Sequence, residues 1–198
     1  MVATTIQRQP ENSSETQPEI SWEEFEKEYL SRSDQFKYEW VNGRVVKKLH
    51  MNQHQYFLLD NIFDHFLRLK QEGKVSGKLY TEIDTFFLRK HHRRPDMAWF
   101  SDEQVARMQY RENQIPKWVI EVISDNDIAD DLLDKISEYE DAKVEVLWLV
   151  SANLQQVHIY NPSGKLTCRG DMICSAAPVL PAFEIPASEI FKKLPRPA

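Results

Sequence analysis

The chain has 198 residues, 41% of them hydrophobic, and a formal net charge of -6 at pH 7. This length and composition supply apolar material for one sizeable core, so a single domain is expected. The negative charge argues against a protein that coats nucleic acid non-specifically, because such binding relies on many Lys and Arg contacts to phosphates. Any contact with nucleic acid is therefore expected at a local site.

The sequence carries no signal for a membrane or a secretory route. No apolar run approaches the roughly 18 residues that span a bilayer, and the N-terminus lacks the apolar segment of a signal peptide. A cytoplasmic protein is expected. Cys168 and Cys174 form no CxxC pair and have no zinc-like histidine spacing, so they predict neither a zinc site nor a disulfide framework. They are expected to be core residues or idle thiols.

The first twenty residues differ in composition from the rest. They are rich in Ser, Thr, Gln and Glu and show no apolar periodicity, so burial cannot offset the entropy lost on ordering them. We predict a disordered tail over residues 1–20 and one domain over residues 21–194, which no repeat or linker divides.

Capping signals and periodicity predict the first elements of the domain. Ser21 can cap a short helix while Glu24 reaches back to it. The stretch Phe36–Leu49 alternates aromatic with polar residues and turns at Asn42-Gly43, a pair that tolerates positive φ, which predicts a β-hairpin. Apolar residues then recur at three and four over His54–Lys70, which predicts an amphipathic helix.

The middle of the chain predicts two antiparallel strands and then a βαβ unit. The two strands are expected at Leu79–Leu88 and Arg94–Phe100, joined by a basic turn. Apolar runs at Trp118–Ile123 and Val144–Val150 predict parallel strands, with a helix over Asp127–Asp141 between them. The remaining pieces are a strand at Gln155–Tyr160 and an amphipathic segment ending at Phe191.

Glu121 is the strongest anomaly, because it interrupts a strand, Trp118–Ile123, that otherwise has the composition of one buried on both faces. Burial of an ionised carboxylate is unfavourable unless a cation or good hydrogen-bond donors compensate it. A bound metal ion is one explanation, and a structural salt bridge to Arg or Lys is the other. The residue alone does not decide between them.

Asp96 stands after Pro95 at the start of a predicted strand, where Pro is tolerated because it donates no ladder hydrogen bond. An Asp in this position is usually a solvated strand-end residue. Paired with Glu121 on a neighbouring strand, however, it would supply a second oxygen ligand for a hard divalent cation. The pair predicts a site for Mg²⁺ or Mn²⁺ more strongly than either residue alone.

Lys135 lies beside the apolar stripe of the helix that follows Glu121. Helical side chains point back toward the N-terminus, so its ammonium is expected to reach the end of the preceding strand. There it would orient a water or offset the charge of a phosphoryl transition state. The alternative is a surface lysine paired with Asp131.

The order of these residues and their flanking motifs resembles the Uma2 type of restriction-endonuclease-like proteins, a branch of the PD-(D/E)XK nuclease superfamily. The resemblance runs from about Phe36 to Phe191. The motifs that carry it are Tyr38-Glu39-Trp40-Val41-Asn42-Gly43, His54, Pro95-Asp96, Trp118-Val119-Ile120-Glu121-Val122-Ile123-Ser124, Lys135 with Tyr139, and Val146-Leu147-Trp148-Leu149-Val150.

The resemblance implies an α/β fold with a mixed β-sheet flanked by helices, and a metal-dependent site built from Asp96, Glu121 and a lysine. The superfamily's usual lysine stands two residues after the acidic residue, where this chain has Ile123. The resemblance therefore assigns the lysine to the helix, as Lys135. The loop Ser124-Asp125-Asn126 departs from the Ser-Pro-Ser that is common in the family.

Glu39 and His54 match positions that recur in the family, and both are expected to border the site. Glu39 would bind the metal through water or position a nucleophile, unless it is a solvent-facing strand residue. His54 would donate to a phosphate, unless it only makes local hydrogen bonds. The basic run Lys90–Arg94 would contact a DNA backbone, although charged hairpin tips are usually only solvated.

The leading hypothesis is a Mg²⁺-dependent endonuclease that hydrolyses DNA phosphodiester bonds. Because nucleases that cut both strands often act as dimers, a homodimer is compatible with it. The alternative is a non-catalytic descendant that binds nucleic acid or protein, since a fold does not determine a function. An unrelated hydrolase is disfavoured by the lack of GxSxG, P-loop and HExxH motifs.

Overall fold

A computed structural model describes residues 18–123 and 129–194 of the chain. The elements in these ranges are α1 (Trp22–Phe25), continued by a π-helical turn (Glu26–Leu30), β1 (Phe36–Val41), β2 (Arg44–Leu49), α2 (Gln53–Gln71), β3 (Lys78–Thr81), β4 (Thr85–Leu88), β5 (His91–Arg93), β6 (Met97–Phe100), α3 (Asp102–Met108), β7 (Trp118–Ile123), α4 (Ala129–Asp141), β8 (Val146–Ser151), β9 (Gln156–Asn161), β10 (Gly164–Arg169), β11 (Ile173–Ala176), β12 (Leu180–Pro186) and α5 (Ala187–Ile190). None of these helices is long and apolar enough to cross a membrane.

A mixed six-stranded sheet in the order β10-β9-β8-β7-β6-β3 forms the centre of the fold. Strands β7 and β8 are parallel and are connected through α4, while the other neighbouring pairs are antiparallel. This confirms the predicted βαβ unit and the mixed sheet flanked by helices. The strand predicted at Trp118–Ile123 has those bounds in the structure.

The central sheet is covered on both faces. On β7, the side chains of Trp118, Ile120 and Val122 join a core with α2, α5 and the β11–β12 hairpin. Val119 lies on the opposite face and joins a second core with α3 and α4. Glu121 shares the parity of Val119, so it points to the face that α4 covers.

A second, four-stranded sheet in the order β2-β1-β5-β4 contains the predicted hairpin. The strand expected at Leu79–Leu88 is instead split between the two sheets as β3 and β4, because the chain breaks at Glu82, which has a φ of 47°. The strand expected at Arg94–Phe100 begins only at Met97, after Pro95, and lies in the central sheet as β6. The basic residues His91–Arg93 form strand β5 and not the predicted turn.

Other boundaries also differ from the prediction. The stretch after β6 holds a short helix, α3, which a capping box of Ser101 and Gln104 opens. The long helix begins at Gln53 with Asn52 as its N-cap, so His54 does not open it. The predicted C-terminal amphipathic piece is a β-hairpin followed by α5. Both cysteines are buried and free, as expected of core residues.

The start of the domain is tied to the hairpin. The predicted capping box of Ser21 and Glu24 is present. The Ile20 amide donates to the Gly43 carbonyl at 2.7 Å, and the indole of Trp40 donates to the Ile20 carbonyl at 3.1 Å. The ordered part of the fold therefore includes Ile20, which lies within the predicted tail, while residues 1–17 lie outside the described ranges.

Replacement of Gly77 by Ala is expected to destabilise the fold far more than replacement of Gly73. Both glycines have positive φ, +80° and +70°, so both variants carry a backbone strain of about 1–2 kcal/mol. A Cβ at Gly77 would overlap the Phe100 carbonyl oxygen and lie 2.7 Å from Trp99 Nε1, whereas one at Gly73 meets nothing within 4 Å. We expect an extra loss of roughly 2 kcal/mol in denaturant unfolding; equal losses would contradict this packing of β3 on β6.

Candidate active site

A cleft opens between the β1–β2 hairpin, the start of α2, and the strand ends of the central sheet next to α4. It is lined by two carboxylates, Asp96 and Glu121, and by two lysines on opposite walls, Lys37 on β1 and Lys135 on α4. All four are buried, with exposed fractions of 4% or 5%. Buried charges of this kind are stable only as partners of one another or of a bound ion.

The two predicted metal ligands lie side by side on one face of the sheet. Strands β6 and β7 pair with Met97 opposite Ile120, so Asp96 falls next to Glu121. The Val122 amide donates to Asp96 Oδ2 at 2.8 Å, which holds this carboxylate against β7. The alternative, a solvated strand-end residue, is wrong for Asp96, because it is buried.

Lys135 reaches from α4 to the end of β7, as its direction on the helix predicted. Its Nζ lies 2.7 Å from Glu121 Oε1 and 3.7 Å from Glu39 Oε1. The alternative of a surface lysine paired with Asp131 is wrong, because Lys135 is buried. Glu121 therefore forms a buried salt bridge in this structure, as one of the two explanations for it required. Its partner is Lys135, the lysine predicted for the site.

Tyr139 also contacts Glu121, one helical turn beyond Lys135. Its hydroxyl donates to Glu121 Oε1 at 2.5 Å. Burial, and then the negative charges of Glu121 and Glu39, raise the pKa of Tyr139 well above its ordinary value. Tyr139 therefore stays a neutral donor that fixes the Glu121 carboxylate.

Glu39 is fully buried, so the alternative of a solvent-facing strand residue is wrong. Arg93 Nη1 donates to its Oε2 at 2.8 Å, and the Arg94 amide donates to its Oε1 at 3.0 Å. Burial by itself would raise the pKa of Glu39, but Lys135, Arg93 and Lys37 together hold this pKa well below its ordinary value. Glu39 is therefore ionised and serves as an anchor for the cations around it.

Lys37 is a site residue that the sequence analysis missed. Its Nζ lies 2.5 Å from Asp96 Oδ1 and donates to the Arg94 carbonyl at 3.1 Å. Burial would lower the pKa of Lys37, but Asp96, Glu121 and Glu39 raise it above its ordinary value. The available signal was strand alternation, which puts Lys37 on the same face of β1 as Glu39.

Arg93 belongs to the interior and not to a DNA-contacting turn. Its Nε and Nη2 donate to the two carboxylate oxygens of Glu138 at 2.8 and 2.6 Å. With the Glu39 contact, every side of its guanidinium fork faces a carboxylate. The predicted contact of the run Lys90–Arg94 with DNA is therefore wrong for Arg93 and for His92, which is also buried.

These ion pairs form one cluster, which we call the charge network. Four carboxylates and three cations of the described residues form it: Glu39, Asp96, Glu121, Glu138, Lys37, Arg93 and Lys135. It connects β1, β5, the start of β6, β7 and α4. His91 Nδ1 lies 3.1 Å from one of these carboxylates, that of Glu138. The formal charge of the network is one negative unit with His91 counted as neutral, before any ligand binds.

His54 lies apart from this arrangement. It sits in the first turn of α2, is exposed, and is not among the residues that line the cleft. Its neighbours Met51, Asn52 and Gln55 do line the cleft. The geometry gives no support to a phosphate contact from His54.

The carboxylate pair fits a divalent cation of the magnesium type. In residues 18–123 and 129–194, no group of three or more His, Cys, Asp or Glu side chains is arranged to hold a metal. Mg²⁺, however, usually keeps several waters and binds through one or two carboxylates together with substrate phosphate. Asp96 and Glu121 meet that requirement, since they are adjacent, oxygen-based and open to one cleft.

A mixed sheet that brings two carboxylates and a lysine to one cleft defines a restriction-endonuclease-like arrangement. The profile of the Uma2 family, described as "Putative restriction endonuclease", matches residues 22–188. The chain belongs to this family.

The fold also resembles that of a solved protein. The crystal structure of a "putative nuclease belonging to DUF820" from Anabaena variabilis superimposes with a TM-score of 0.68 at 15% sequence identity, covering 81% of this chain and 92% of that one. At this identity the likeness concerns the fold alone. A comparison with curated proteins finds no match.

Replacement of Glu39 by Gln is expected to destabilise the metal-free protein in a pH-dependent way. Because folding lowers the pKa of Glu39, its ionised form contributes stability above its ordinary pKa of 4.5, and this contribution is lost as the pH falls below that value. We expect a loss of about 3 kcal/mol at pH 7, where two buried cations lose a partner, and a smaller one near pH 3. Denaturant unfolding in EDTA measures both.

Glu103→Gln is the control, because the Glu103 side chain is 76% exposed and pairs with Arg107 across one helical turn. It should change stability little at either pH. A loss in Glu39→Gln that stays constant from pH 7 to pH 3 would show that shape and not charge matters at this position.

Proposed function

We propose that the protein is a divalent-metal-dependent endonuclease that hydrolyses phosphodiester bonds of DNA, with Asp96 and Glu121 as metal ligands. One observation carries the proposal: two buried carboxylates on adjacent strands share a cleft with two lysines. Membership of a family of restriction-endonuclease-like proteins supports it. A cation held there supplies a Lewis acid that activates water and offsets charge on a phosphate.

Lys135 is the residue we assign to the developing charge. Its ammonium is fixed between Glu121 and Glu39, so it lies beside the metal ligands without free rotation. A preorganised cation of this kind stabilises a charged transition state without reorganising during the reaction. Glu39 acts through Lys135 and Arg93, since it is fully buried, and is therefore a positioning residue.

The balance of charge in the network suits a phosphodiester. The four carboxylates exceed the three cations by one negative charge. A divalent cation would convert this to a surplus of one positive charge, which the single negative charge of a phosphodiester offsets. A formal charge of zero is reached only with both ligands present, and this favours their joint binding.

The wall formed by β2 provides the cationic approach that DNA needs. Lys47, Lys48 and His50 line the cleft beside Lys37, whereas the wall that α4 contributes carries the acidic Asp131. We propose that the DNA backbone approaches along β2 and the start of α2. Cleavage of both strands would require two such sites, for which a homodimer is the simplest arrangement.

A non-catalytic binding protein is a second candidate, and a specific observation favours it. Asp96 already pairs with Lys37, and Glu121 pairs with Lys135, so both carboxylates are compensated without a metal. An inactive descendant would keep these pairs for stability alone. The two candidates differ in whether a divalent cation stabilises the protein.

Glu121→Gln is expected to abolish both divalent-cation binding and cleavage of DNA while keeping the fold. Gln has nearly the shape of Glu, and Lys135 retains Glu39 as a partner. A metal that binds only the native state stabilises the wild type by roughly 2.7 kcal/mol at 100 times its dissociation constant, and the variant should lose this gain. Thermal melts with EDTA and with Mn²⁺, together with plasmid cleavage assays, measure the two effects.

Glu140→Gln serves as the control, because Glu140 is exposed on α4 and should leave the Mn²⁺ shift intact. A wild-type protein that shows no Mn²⁺-dependent shift, together with a Glu121→Gln variant that is strongly destabilised in EDTA, would favour the binding protein over the nuclease.

A further inference from the structure

The site contains a second buried lysine that the proposed function leaves without a role. Lys37 projects from β1 into the same cleft as Lys135, but from the opposite wall. Lys135 contacts two carboxylates, Glu121 and Glu39. Lys37 instead contacts one carboxylate oxygen, Asp96 Oδ1, and one backbone carbonyl, that of Arg94. Lys37 therefore joins the charge network through its ion pair with Asp96.

The two oxygens of Asp96 are already divided between two partners. Oδ2 accepts the Val122 amide at 2.8 Å, which ties it to β7. Oδ1 is the oxygen taken by Lys37 at 2.5 Å. Because the amide fixes Oδ2, a cation that binds Asp96 would use Oδ1. The ammonium of Lys37 and a divalent cation therefore compete for the same atom.

We propose that Lys37 is a resident counter-ion of Asp96 in the metal-free protein, and that a divalent cation displaces it toward a phosphate of the DNA. This inference rests on the proposed function. The lysine stem has four rotatable carbons and a compact charge, so the ammonium can leave Oδ1 while the backbone stays in place. Repulsion between the two cations drives the exchange, and a phosphate anion in the cleft is the partner that the displaced ammonium requires.

The first consequence concerns metal affinity and needs no catalysis. Lys37→Met removes the competitor from Asp96 Oδ1, so Mn²⁺ should bind roughly tenfold more tightly than to the wild type. In EDTA the same variant should melt at a lower temperature, because Asp96 then lies buried without its cation. Saturating Mn²⁺ should restore most of the loss. Calorimetric titration with Mn²⁺ and thermal melts measure these effects.

Lys47→Met is the matched control, because it removes the same charge from the same hairpin. Lys47 lines the cleft too, but it is exposed, and its ammonium lies over the Phe36 ring at 3.6 Å and not on Asp96. A general electrostatic effect would tighten Mn²⁺ binding equally in both variants. Competition for Oδ1 predicts the large effect in Lys37→Met alone.

The second consequence concerns DNA and appears only when the metal is bound. With Ca²⁺ as the hard cation, a short DNA duplex should bind Lys37→Met more weakly, and the slope of log K against log salt should fall by about one. In EDTA the slope should be the same in wild type and variant, because Lys37 is then paired with Asp96. A slope change that is equal in EDTA and Ca²⁺ would show that Lys37 is an ordinary phosphate contact.

The outcomes separate this inference from the proposed function. If the wild type binds neither Mn²⁺ nor DNA, the proposed function fails and this inference fails with it. If the wild type binds Mn²⁺ but Lys37→Met binds it no more tightly than Lys47→Met does, only the role of Lys37 is overturned. A Lys37→Met protein that does not fold even in saturating Mn²⁺ would also overturn it, since the metal could then not replace the ammonium at Asp96.

Discussion

The ionised carboxylate of Glu39, which is fully buried on strand β1 of the hairpin, constrains how the layers of this structure pack together. An isolated charge in such a position would cost several kcal/mol. Glu39 is compensated from two directions, by Arg93 on β5 and by Lys135 on α4. Lys135 also pairs with Glu121 on β7, so the four-stranded sheet, α4 and the central sheet are held in one arrangement. The charge network thus determines the walls of the cleft as well as its contents.

The bend between β5 and β6 makes this connection possible. Arg93 precedes the bend and joins Glu39 and Glu138, whereas Asp96 follows it and joins Lys37 and the Val122 amide. Arg93 and Asp96 are three positions apart in sequence, yet the cation belongs to the four-stranded sheet and the carboxylate lies at the start of a strand of the central sheet. Pro95 suits this position, since it donates no hydrogen bond to either ladder. The site consequently stands on strand ends and on one helix, which are rigid supports for a reaction centre.

Much of the candidate site could be predicted because its residues break a local pattern. Glu121 interrupts an apolar strand, Asp96 follows a proline at a strand start, and Lys135 lies beside a helical stripe. The structure brings these three to one cleft. Their roles as metal ligands and catalytic lysine stay predictions that chemistry has to test.

The partners of these residues could not be predicted in the same way. Lys37 lies 59 positions from Asp96 in sequence and stands on a strand whose polar face has the pattern of a solvated one. Strand alternation cannot show that a second layer covers that face. For the same reason the sequence predicts an exposed turn at Arg93, and it predicts one strand at Leu79–Leu88 where the chain passes from one sheet to the other. Period-two alternation is unchanged when a strand passes from one sheet to another, so it carries no signal of the crossing.

The central claim is that Asp96 and Glu121 form one divalent-cation site, and that the Lys37 ammonium occupies the Asp96 oxygen of this site when no metal is bound. Anomalous diffraction from crystals soaked in Mn²⁺ tests it most directly. We expect a single peak in the cleft, at about 2.1 Å from one oxygen of each carboxylate, with the Lys37 ammonium withdrawn from Asp96 Oδ1. A peak elsewhere, or a cleft that stays free of manganese with the Lys37–Asp96 pair intact at saturating Mn²⁺, would contradict it.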